Sequence, residues 1–420
     1  MYISRKVDRE FEKIIENNDA ILIYGFFKSG KSTLLRNALK KRKEKTIILT
    51  AKESAYEKNL LAFAEKADRL ISVEKTSSLF SLFSLFNERE EKVIFVIEEI
   101  ENIRKQEDEI KRMLKERGEN TKIILTTASL DFYNDLSSSR YLDKCSFIPT
   151  FEYSEAESFY SKLNSKDKLL FYSVFGSLPY VNMLINEEES LKKNIRNIFI
   201  AKSSPIHPYM LYEITKNIGK RSYAYDILSE LGSEYKTYSD LLPSLYQENN
   251  GLLDKQLSVL LGEGLIEKIN PINKIGNRKS RYYCIKDGAV AFYYSYIYPY
   301  LDEISELSEK EFFELHVERE LGLFTDRMIS RALNSYFKRT YMADESGIFD
   351  DDGVVFNSSF LKNGEYTLTF IRTNDGKMTS DEAEGIKCKY KKAFFSLNGF
   401  DFNAFDVELL SPKDLYKERI

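Results

Sequence analysis

The sequence of 420 residues has no tryptophan, two histidines and three cysteines. With only His207 and His316 to supply imidazole groups, a histidine-rich metal site and a Ser-His-Asp triad both have little support. The cysteines, Cys145, Cys284 and Cys388, lie far apart and are odd in number, which argues against a zinc site and against a disulfide framework. We therefore expect reduced thiols and a cytoplasmic protein.

A long hydrophobic run is also missing, and neither sign of charge dominates. The run AVAFYYSYIYPYL, residues 289–301, is too short to span a bilayer, and the N-terminal segment has no signal-peptide core. The sequence has 62 Lys and Arg against 66 Asp and Glu, a formal net charge of −4. We therefore expect no membrane segment and no overall attraction to nucleic acid, although this balance does not exclude a local basic patch.

Short apolar runs alternate with helical patterns in the first 150 residues. Runs that are apolar on both faces are typical of parallel strands buried under helices. The pattern predicts a doubly wound α/β domain. The five runs are AILIY at 20–24, TIIL at 46–49, KVIFVI at 92–97, KIILTT at 122–127 and CSFI at 145–148.

The stretch GFFKSGKS, residues 25–32, has the spacing Gly-x-x-x-x-Gly-Lys-Ser and lies between a predicted strand and a predicted helix. This is the context that a phosphate-binding loop requires. The glycines let backbone N–H groups face an anion, the lysine supplies charge to the β and γ phosphates, and the serine hydroxyl binds magnesium. We predict that ATP is contacted by Gly25, Ser29, Gly30, Lys31, Ser32 and Thr33.

Two adjacent glutamates, Glu98 and Glu99, follow the buried run KVIFVI. Phosphoryl transfer needs a held metal ion and an oriented water. We predict that Glu98 holds Mg²⁺, directly or through water, and that Glu99 orients and deprotonates the attacking water. The alternative is that both residues simply begin the polar segment after a core strand.

Two further residues are candidates for catalysis. Thr127 ends the run KIILTT, where its hydroxyl would contact the attacking water or the γ-phosphate, and the alternative is a plain strand-end hydroxyl. Arg140, in the segment SSSRYLDK, is the candidate for an arginine that stabilises transition-state charge. A surface arginine without a catalytic role is an equally good interpretation.

The pattern changes after residue 150, where the short strand-like runs stop. Helical patterns continue to about residue 218, and three short helical patterns followed by two strands then give the outline of a winged helix. A helix and several short strands after about residue 305 predict a smaller α/β unit. The predicted domains are an ATPase core, a helical lid, a winged helix and a C-terminal unit, at 1–150, 151–218, 219–300 and 301–420.

Several segments, in order, resemble the prokaryotic AAA+-like ATPases of the STAND type, also called archaeal ATPases. They are VDREFEKI, GFFKSGKS, VIFVIEEIENI, ILTTASLDFYNDL, FGSLPYV and the predicted winged helix. The sequence departs from that family in having Phe26 and Phe27 where basic residues are usual, and Glu98 where Asp is usual. The resemblance implies an α/β P-loop NTPase with an AAA+-like parallel sheet, a helical lid, a winged helix and a small restriction-endonuclease-like domain.

In many members of that family the C-terminal domain resembles PD-(D/E)xK nucleases. Here Phe313 and Glu314 match its first helix, and Asp352 in DDDGVVF would be a metal-binding acid. The following strand, EYTLTFIRT, has neither the acid nor the lysine of a Glu-x-Lys motif in its interior. Because a metal nuclease needs both groups, we expect a nuclease-like fold with an inactive site.

Three hypotheses of function follow. The first is an ATP-hydrolysing, Mg²⁺-dependent regulatory switch that acts on an unknown protein partner. The second is a DNA-binding regulator that uses ATP structurally, with phosphate contacts from the basic segment that holds Arg278, Lys279 and Arg281. The third is an ATP-gated nuclease, which the missing Glu-x-Lys argues against.

Overall fold

The structure is a computed structural model that describes residues 2–73, 76–216, 218, 221–244, 251–277, 280–404 and 406–416, and only the backbone of residues 221, 222 and 244. The chain forms two compact units, Met1–Thr150 and Phe151–Ile420. No helix in the described part of the chain is long and apolar enough to cross a membrane.

The first unit contains the predicted parallel α/β sheet. Its five strands are all parallel, in the order β2-β3-β4-β1-β5. The strands are β1 Ala20–Gly25, β2 Lys45–Thr50, β3 Val93–Glu98, β4 Thr121–Thr127 and β5 Lys144–Ile148. The helices are α1 Asp8–Asn17, α2 Lys31–Leu39, α3 Tyr56–Asp68, α4 Leu79–Asn87, α5 Glu107–Lys115 and α6 Leu130–Ser137, and a 3₁₀ segment covers Ile100–Gln106.

Alternation of side chains explains why the central strands are apolar throughout. In β1, Ala20 and Leu22 belong to one core cluster, whereas Ile21 and Ile23 belong to the cluster on the other face. The first cluster includes residues of α3 to α6, and the second includes residues of α1 and α2. Helices therefore cover both faces of the sheet.

The second unit begins with short helices and continues with three helices and a small antiparallel sheet. The first group is α7 Tyr153–Ala156, α8 Ser165–Phe175, α9 Pro179–Asn182, α10 Leu191–Ile195 and α11 Ile206–Pro208, with π-helical turns at Arg196–Ile200 and Tyr209–Glu213. The second group is α12 Arg221–Leu231, β6 Lys236–Thr237, α13 Tyr238–Ser244, α14 Leu252–Gly262, β7 Ile266–Ile269 and β8 Tyr282–Ile285. The three strands pair in the order β6-β8-β7.

The C-terminal part contains a mixed sheet in the order β13-β12-β11-β10-β9. The strands β9, β10 and β11 are antiparallel neighbours, whereas β11, β12 and β13 are parallel. Residues of α17 and of the sheet share one core cluster. The elements are α15 Gly288–Tyr296, α16 Glu309–His316, α17 Leu321–Arg339, β9 Glu345–Asp351, β10 Val354–Lys362, β11 Glu365–Arg372, α18 Ser380–Gly385, β12 Lys391–Ser396, β13 Glu408–Leu410 and α19 Pro412–Leu415.

The connection between β7 and β8 packs against β9, which is an edge strand of this mixed sheet. The backbone N–H of Ile272 donates to the carbonyl of Ile348 at 2.9 Å, and the Asn273 side chain bonds both the N–H and the C=O of Asp350. Lys274 forms a 2.9 Å ion pair with the Asp350 carboxylate, which also accepts a hydrogen bond from Tyr282. This connection is therefore tied to the edge of the C-terminal sheet.

Candidate nucleotide-binding site

The strand order brings the predicted motifs to the same edge of the first sheet. β4 lies between β1 and β3, and the register pairs Tyr24 with Thr127 and Ile97 with Leu125. Because all strands are parallel, the phosphate-binding loop after β1 and Glu98 at the end of β3 lie at the carboxyl edge, one strand apart. Neighbouring strands are about 4.8 Å apart, so this edge places the groups within reach of one small ligand.

The loop between β1 and α2 has the backbone that its glycines allow. Gly30 precedes α2 with a φ of 87°, a left-handed conformation that glycine adopts without strain. Gly25 is closely packed, because a Cβ there would lie 2.9 Å from the carbonyl oxygen of Ile148. Gly30, the residue before α2, has no side chain that could cap the helix, and the positive end of α2 faces the loop.

Lys31 is the first residue of α2, and its side chain folds back over the loop. Its ammonium donates hydrogen bonds to the carbonyls of Gly25 at 2.7 Å and Phe26 at 3.0 Å. Burial lowers the pKa of Lys31 to about 8, although the nearby carboxylates Glu101, Glu99 and Glu98 oppose this shift. The lysine is therefore both close to the acids and held in the loop.

Ser29, Ser32 and Thr33 complete the predicted nucleotide contacts. Ser29 is fully buried, and its hydroxyl has no hydrogen-bond partner among the described residues. Ser32 and Thr33 are in the first turn of α2, where Ser32 is partly buried and Thr33 exposed. Their contacts with ATP stay a prediction.

Arg5 holds the loop from the N-terminal side and was not predicted from the sequence. Its side chain is buried, with 6% exposed, and donates to the carbonyl of Ser29 at 3.1 Å and to the carbonyl of Pro149. Nothing in the local sequence around residue 5 indicates this contact, because its partners are 24 and 144 residues away.

Glu98 is buried at the end of β3, with only 1% exposed. Its Oε2 accepts hydrogen bonds from the Arg36 guanidinium at 2.6 Å and from the Thr50 hydroxyl at 2.9 Å. Its Oε1 is buried and has no hydrogen-bond partner among the residues described. One carboxylate oxygen is thus engaged and the other remains available to a cation or to its water. Neither Arg36 nor Thr50 was predicted to contact it.

Glu99 is the residue at which the chain leaves β3. Its φ of 57° and ψ of 46° place it in the left-handed region, which is uncommon for a residue with a side chain. Its backbone N–H donates to the Thr126 hydroxyl at 3.4 Å, and its carboxylate accepts from the Asn102 amide at 3.3 Å. Strained backbone conformations of this kind cluster at functional sites. At Glu99, the contacts with Thr126 of β4 and Asn102 of the 3₁₀ segment stabilise the strained conformation.

The end of β4 contributes two hydroxyls and supports a third acid. Thr127 is buried, and its hydroxyl accepts from the N–H of Ser129 at 3.0 Å, whereas Thr126 contacts Glu99. Glu101 accepts a hydrogen bond from the N–H of Ala128 at 3.1 Å, and its other oxygen is buried without a partner in the described part of the chain. Thr126 and Glu101 are site residues that were not selected from the sequence.

The structure does not bring Arg140 to this edge. It lies in the turn between α6 and β5, and β5 begins with Lys144 paired to Ile21 at the start of β1. Arg140 is exposed and donates to the Tyr141 hydroxyl at 2.8 Å. The turn that holds Arg140 therefore leads into β5 at the amino edge, and strands of five or six residues span about 17 Å between that edge and the loop. The geometry gives no support to its contact with a nucleotide in the same chain.

The C-terminal acid chosen from the sequence lies in a turn. Asp352 and Gly353 form the two-residue loop between β9 and β10, with φ values of 50° and 95°. This is the conformation for which Asp-Gly is favoured in hairpins, and Asp352 is exposed. Among the described residues, no group of three or more His, Cys, Asp or Glu could hold a metal ion.

Two of the three residues predicted to contact DNA, Arg278 and Lys279, lie outside the described residues. Arg281 is partly buried and immediately precedes β8. The DNA contact therefore stays a prediction.

Comparisons with known proteins agree with the fold of the first unit. Residues 17–155 match the AAA domain family AAA_14. The uncharacterized protein MJECL04 of Methanocaldococcus jannaschii is 24% identical over 336 residues, which cover 73% of this chain and 71% of that protein. The Walker-type ATPase PABY2304 of Pyrococcus abyssi superposes with a TM-score of 0.50 at 16% identity, over 70% of this chain and 96% of that chain. The family match and the parallel sheet together support an AAA-type ATPase domain with a P-loop NTPase fold.

Proposed function

We propose that the protein binds ATP with Mg²⁺, hydrolyses it slowly and uses its nucleotide state as a regulatory switch. One observation carries this proposal: the loop that ends at Lys31 follows β1, Glu98 and Glu99 lie at the end of β3, and only β4 separates these two strands at the carboxyl edge of the sheet. ATP hydrolysis requires a positive charge that binds phosphate, a carboxylate that holds the metal ion and a carboxylate that activates the attacking water.

The loop provides the phosphate site. The N-terminus of α2 and the backbone N–H groups of the loop attract an anion, and Lys31 exchanges its hydrogen bonds to the carbonyls of Gly25 and Phe26 for phosphate oxygens. Ser29, Thr33 and the two loop glycines line the same turn. Arg5 keeps the loop in place through the Ser29 carbonyl.

The residues present fit a magnesium ion. The buried Oε1 of Glu98 has no hydrogen-bond partner among the described residues, and oxygen is the ligand that Mg²⁺ prefers. Ser32 and Glu98 would hold the ion, directly or through water. When bound, the metal neutralises charge on the phosphates.

Glu99 is the proposed general base. Its left-handed backbone and its contacts with Thr126 and Asn102 fix where its carboxylate can point. It would accept the proton of the attacking water, and Thr127 would orient that water or the γ-phosphate. Glu101 supports this arrangement by fixing the backbone at Ala128, directly after Thr127.

The second unit is the proposed responding part of the switch. The three helices and the β6-β8-β7 sheet support a winged helix, and the order α17-β9-β10-β11-α18-β12 with a mixed sheet supports a nuclease-like fold. We propose that this nuclease-like unit is inactive, since β11 has no Glu-x-Lys. Nuclease activity is therefore not part of the proposed function.

DNA binding is not the function that the geometry supports best. The connection between β7 and β8, which would be the wing, is tied to β9 through Ile272, Asn273 and Lys274. A wing held in this way is less free to follow a phosphate backbone. We propose that the partner is another protein, in the cytoplasm, where the unpaired Cys145, Cys284 and Cys388 would stay reduced.

The test is ATP hydrolysis by the purified full-length protein with Mg²⁺, compared with its Lys31→Ala variant purified in the same way. Release of phosphate by the wild type and loss of release by the variant support the function. Equal rates for the two proteins would assign the activity to a contaminant and remove the support for an ATPase.

A further inference from the structure

Arg36 introduces a positive charge beside the acid that we propose holds magnesium. It lies on α2, and its guanidinium donates a 2.6 Å hydrogen bond to Oε2 of Glu98. Thr50, at the end of β2, donates to the same oxygen at 2.9 Å. The carboxylate therefore has one neutral partner and one charged partner on a single oxygen, while its Oε1 has no partner among the described residues.

The two members of this ion pair differ greatly in exposure. The side chain of Glu98 is 1% exposed, whereas that of Arg36 is 50% exposed. A buried carboxylate cannot be hydrated where it lies, so it requires a compensating positive charge. Arg36 can instead leave the pair and be hydrated by a small side-chain rotation, because half of its surface already contacts solvent. The pair can therefore be opened from the arginine side at low cost only when another cation supplies the charge that Glu98 requires.

We infer that Arg36 is a positioning residue that competes with Mg²⁺ for the Glu98 carboxylate and so sets the magnesium concentration at which ATP binds tightly. A guanidinium and a divalent cation that satisfy the same buried carboxylate also repel each other. Binding of the metal thus weakens the Arg36 contact, and the Arg36 contact raises the metal concentration that is needed. This inference rests on the proposed function.

A purely structural role for the ion pair makes a different prediction. If Arg36 only ties α2 to β3, its removal lowers stability by the same amount with and without Mg²⁺. If Arg36 competes with the metal, its removal lowers stability most in EDTA, and Mg²⁺ with ATP restores it because the metal then supplies the missing charge.

The experiment uses the full-length protein and its Arg36→Gln variant. ATP affinity is measured by calorimetry over a magnesium titration, and the melting temperature is measured in EDTA and in Mg²⁺ with ATP. We expect the variant to need less magnesium for half-maximal tight binding, by roughly 5- to 150-fold, the usual range for coupling between two sites. We also expect its melting temperature to rise more than that of the wild type when Mg²⁺ and ATP are added.

Three further variants separate charge from other effects. Arg69→Gln is the control for loss of a positive charge: Arg69 is exposed and directly follows α3, and this variant should behave as the wild type. Thr50→Val removes a neutral contact to Glu98 and should change the magnesium requirement much less than Arg36→Gln does. Arg36→Lys keeps the charge on a shorter group and should give an intermediate requirement, so it serves as the test if Arg36→Gln does not fold.

The outcomes distinguish this inference from the proposed function. A wild-type magnesium requirement in Arg36→Gln, or in Arg36→Lys where only that variant folds, overturns the inference and leaves ATP binding intact. Equal loss of stability in EDTA and in Mg²⁺ with ATP also overturns it, in favour of the structural role. A wild type that binds no nucleotide under any condition overturns both the inference and the function.

Discussion

The Lys31 ammonium lies 2.7 Å from the carbonyl oxygen of Gly25, the last residue of β1 and the first of the loop. A charge-assisted contact of this kind holds the lysine over the loop, between the strand end and the helix N-terminus. The side chain that is proposed to meet phosphate is thus already part of the loop's own hydrogen bonding. Two predictions depend on this contact.

Lys31→Ala should abolish detectable ATP binding, because the loop loses the charge that faces the β and γ phosphates. The fold should persist, since Lys31 is the first residue of α2 and contributes no side chain to the two apolar core clusters of the sheet. Calorimetry and circular dichroism measure the two properties. Lys40→Ala, an exposed lysine just after α2, is the control and should bind as the wild type. Undiminished affinity in folded Lys31→Ala would remove the assignment.

The affinity for ATP should decrease as the pH rises through 8. The buried Lys31 has a pKa of about 8, so at higher pH the free protein increasingly carries a neutral lysine. Bound phosphate favours the charged form, so ATP binding near pH 8 to 9 should be accompanied by proton uptake. Calorimetry in two buffers with different ionisation enthalpies measures both effects. A constant affinity from pH 7.5 to 9.5, without proton uptake, would contradict this role of Lys31.

Arg140→Gln should hydrolyse ATP at the wild-type rate in dilute protein. Its position at the amino edge of the sheet separates it from a nucleotide bound to the same chain. Single-turnover rates at several protein concentrations provide the measurement. A loss of rate that is independent of protein concentration would show that Arg140 acts within its own chain, which was one of the two interpretations of the sequence.

Asp350→Asn should destabilise the protein by about 1–3 kcal/mol, because its hydrogen bonds with Lys274 and Tyr282 hold the β7–β8 connection against β9. Burial opposes ionisation of Asp350, but hydrogen bonds from Lys274 and the Gly353 N–H outweigh it and keep its pKa below the usual value. This contribution is therefore present above the unfolded pKa and is lost as the pH falls through the folded value.

Denaturant unfolding at pH 7 and at progressively lower pH measures this contribution. Asp352→Asn is the matched control, since Asp352 is exposed in the hairpin turn and Asn also adopts its left-handed conformation. Equal stability of the two variants at pH 7 would show that the ion pair with Lys274 contributes nothing.

The sequence predicted what depends on local pattern. The loop motif, the apolar strands and the acids at the end of β3 are each encoded within a few residues, and the structure places them on one edge of a parallel sheet. Arg140 follows α6, and a helix that starts at the carboxyl edge returns the chain to the amino edge. The position of Arg140 therefore depends on the direction of α6, which the residues around Arg140 do not indicate.

Contacts between distant residues could not be predicted in this way. Arg36 and Glu98 are 62 residues apart, and Ile272 pairs with a strand of the C-terminal sheet. The residues around Arg36 do not indicate a contact with Glu98, and the residues around Ile272 do not indicate a contact with the C-terminal sheet. Asp352 is different, because Asp-Gly between two apolar runs is itself a hairpin signal that identifies the residue as part of a turn.

The most direct test of the account is a single turnover of ATP bound to the Glu99→Gln variant with saturating Mg²⁺. If Glu99 is the general base, the variant should bind ATP as tightly as the wild type and hydrolyse it roughly 100- to 10,000-fold more slowly, so that intact ATP stays bound. Asn102 can still donate to the amide oxygen of the new side chain, so the local fold should be kept. Hydrolysis at the wild-type rate would mean that Glu99 only begins the polar segment after a core strand, and the proposed mechanism would be wrong.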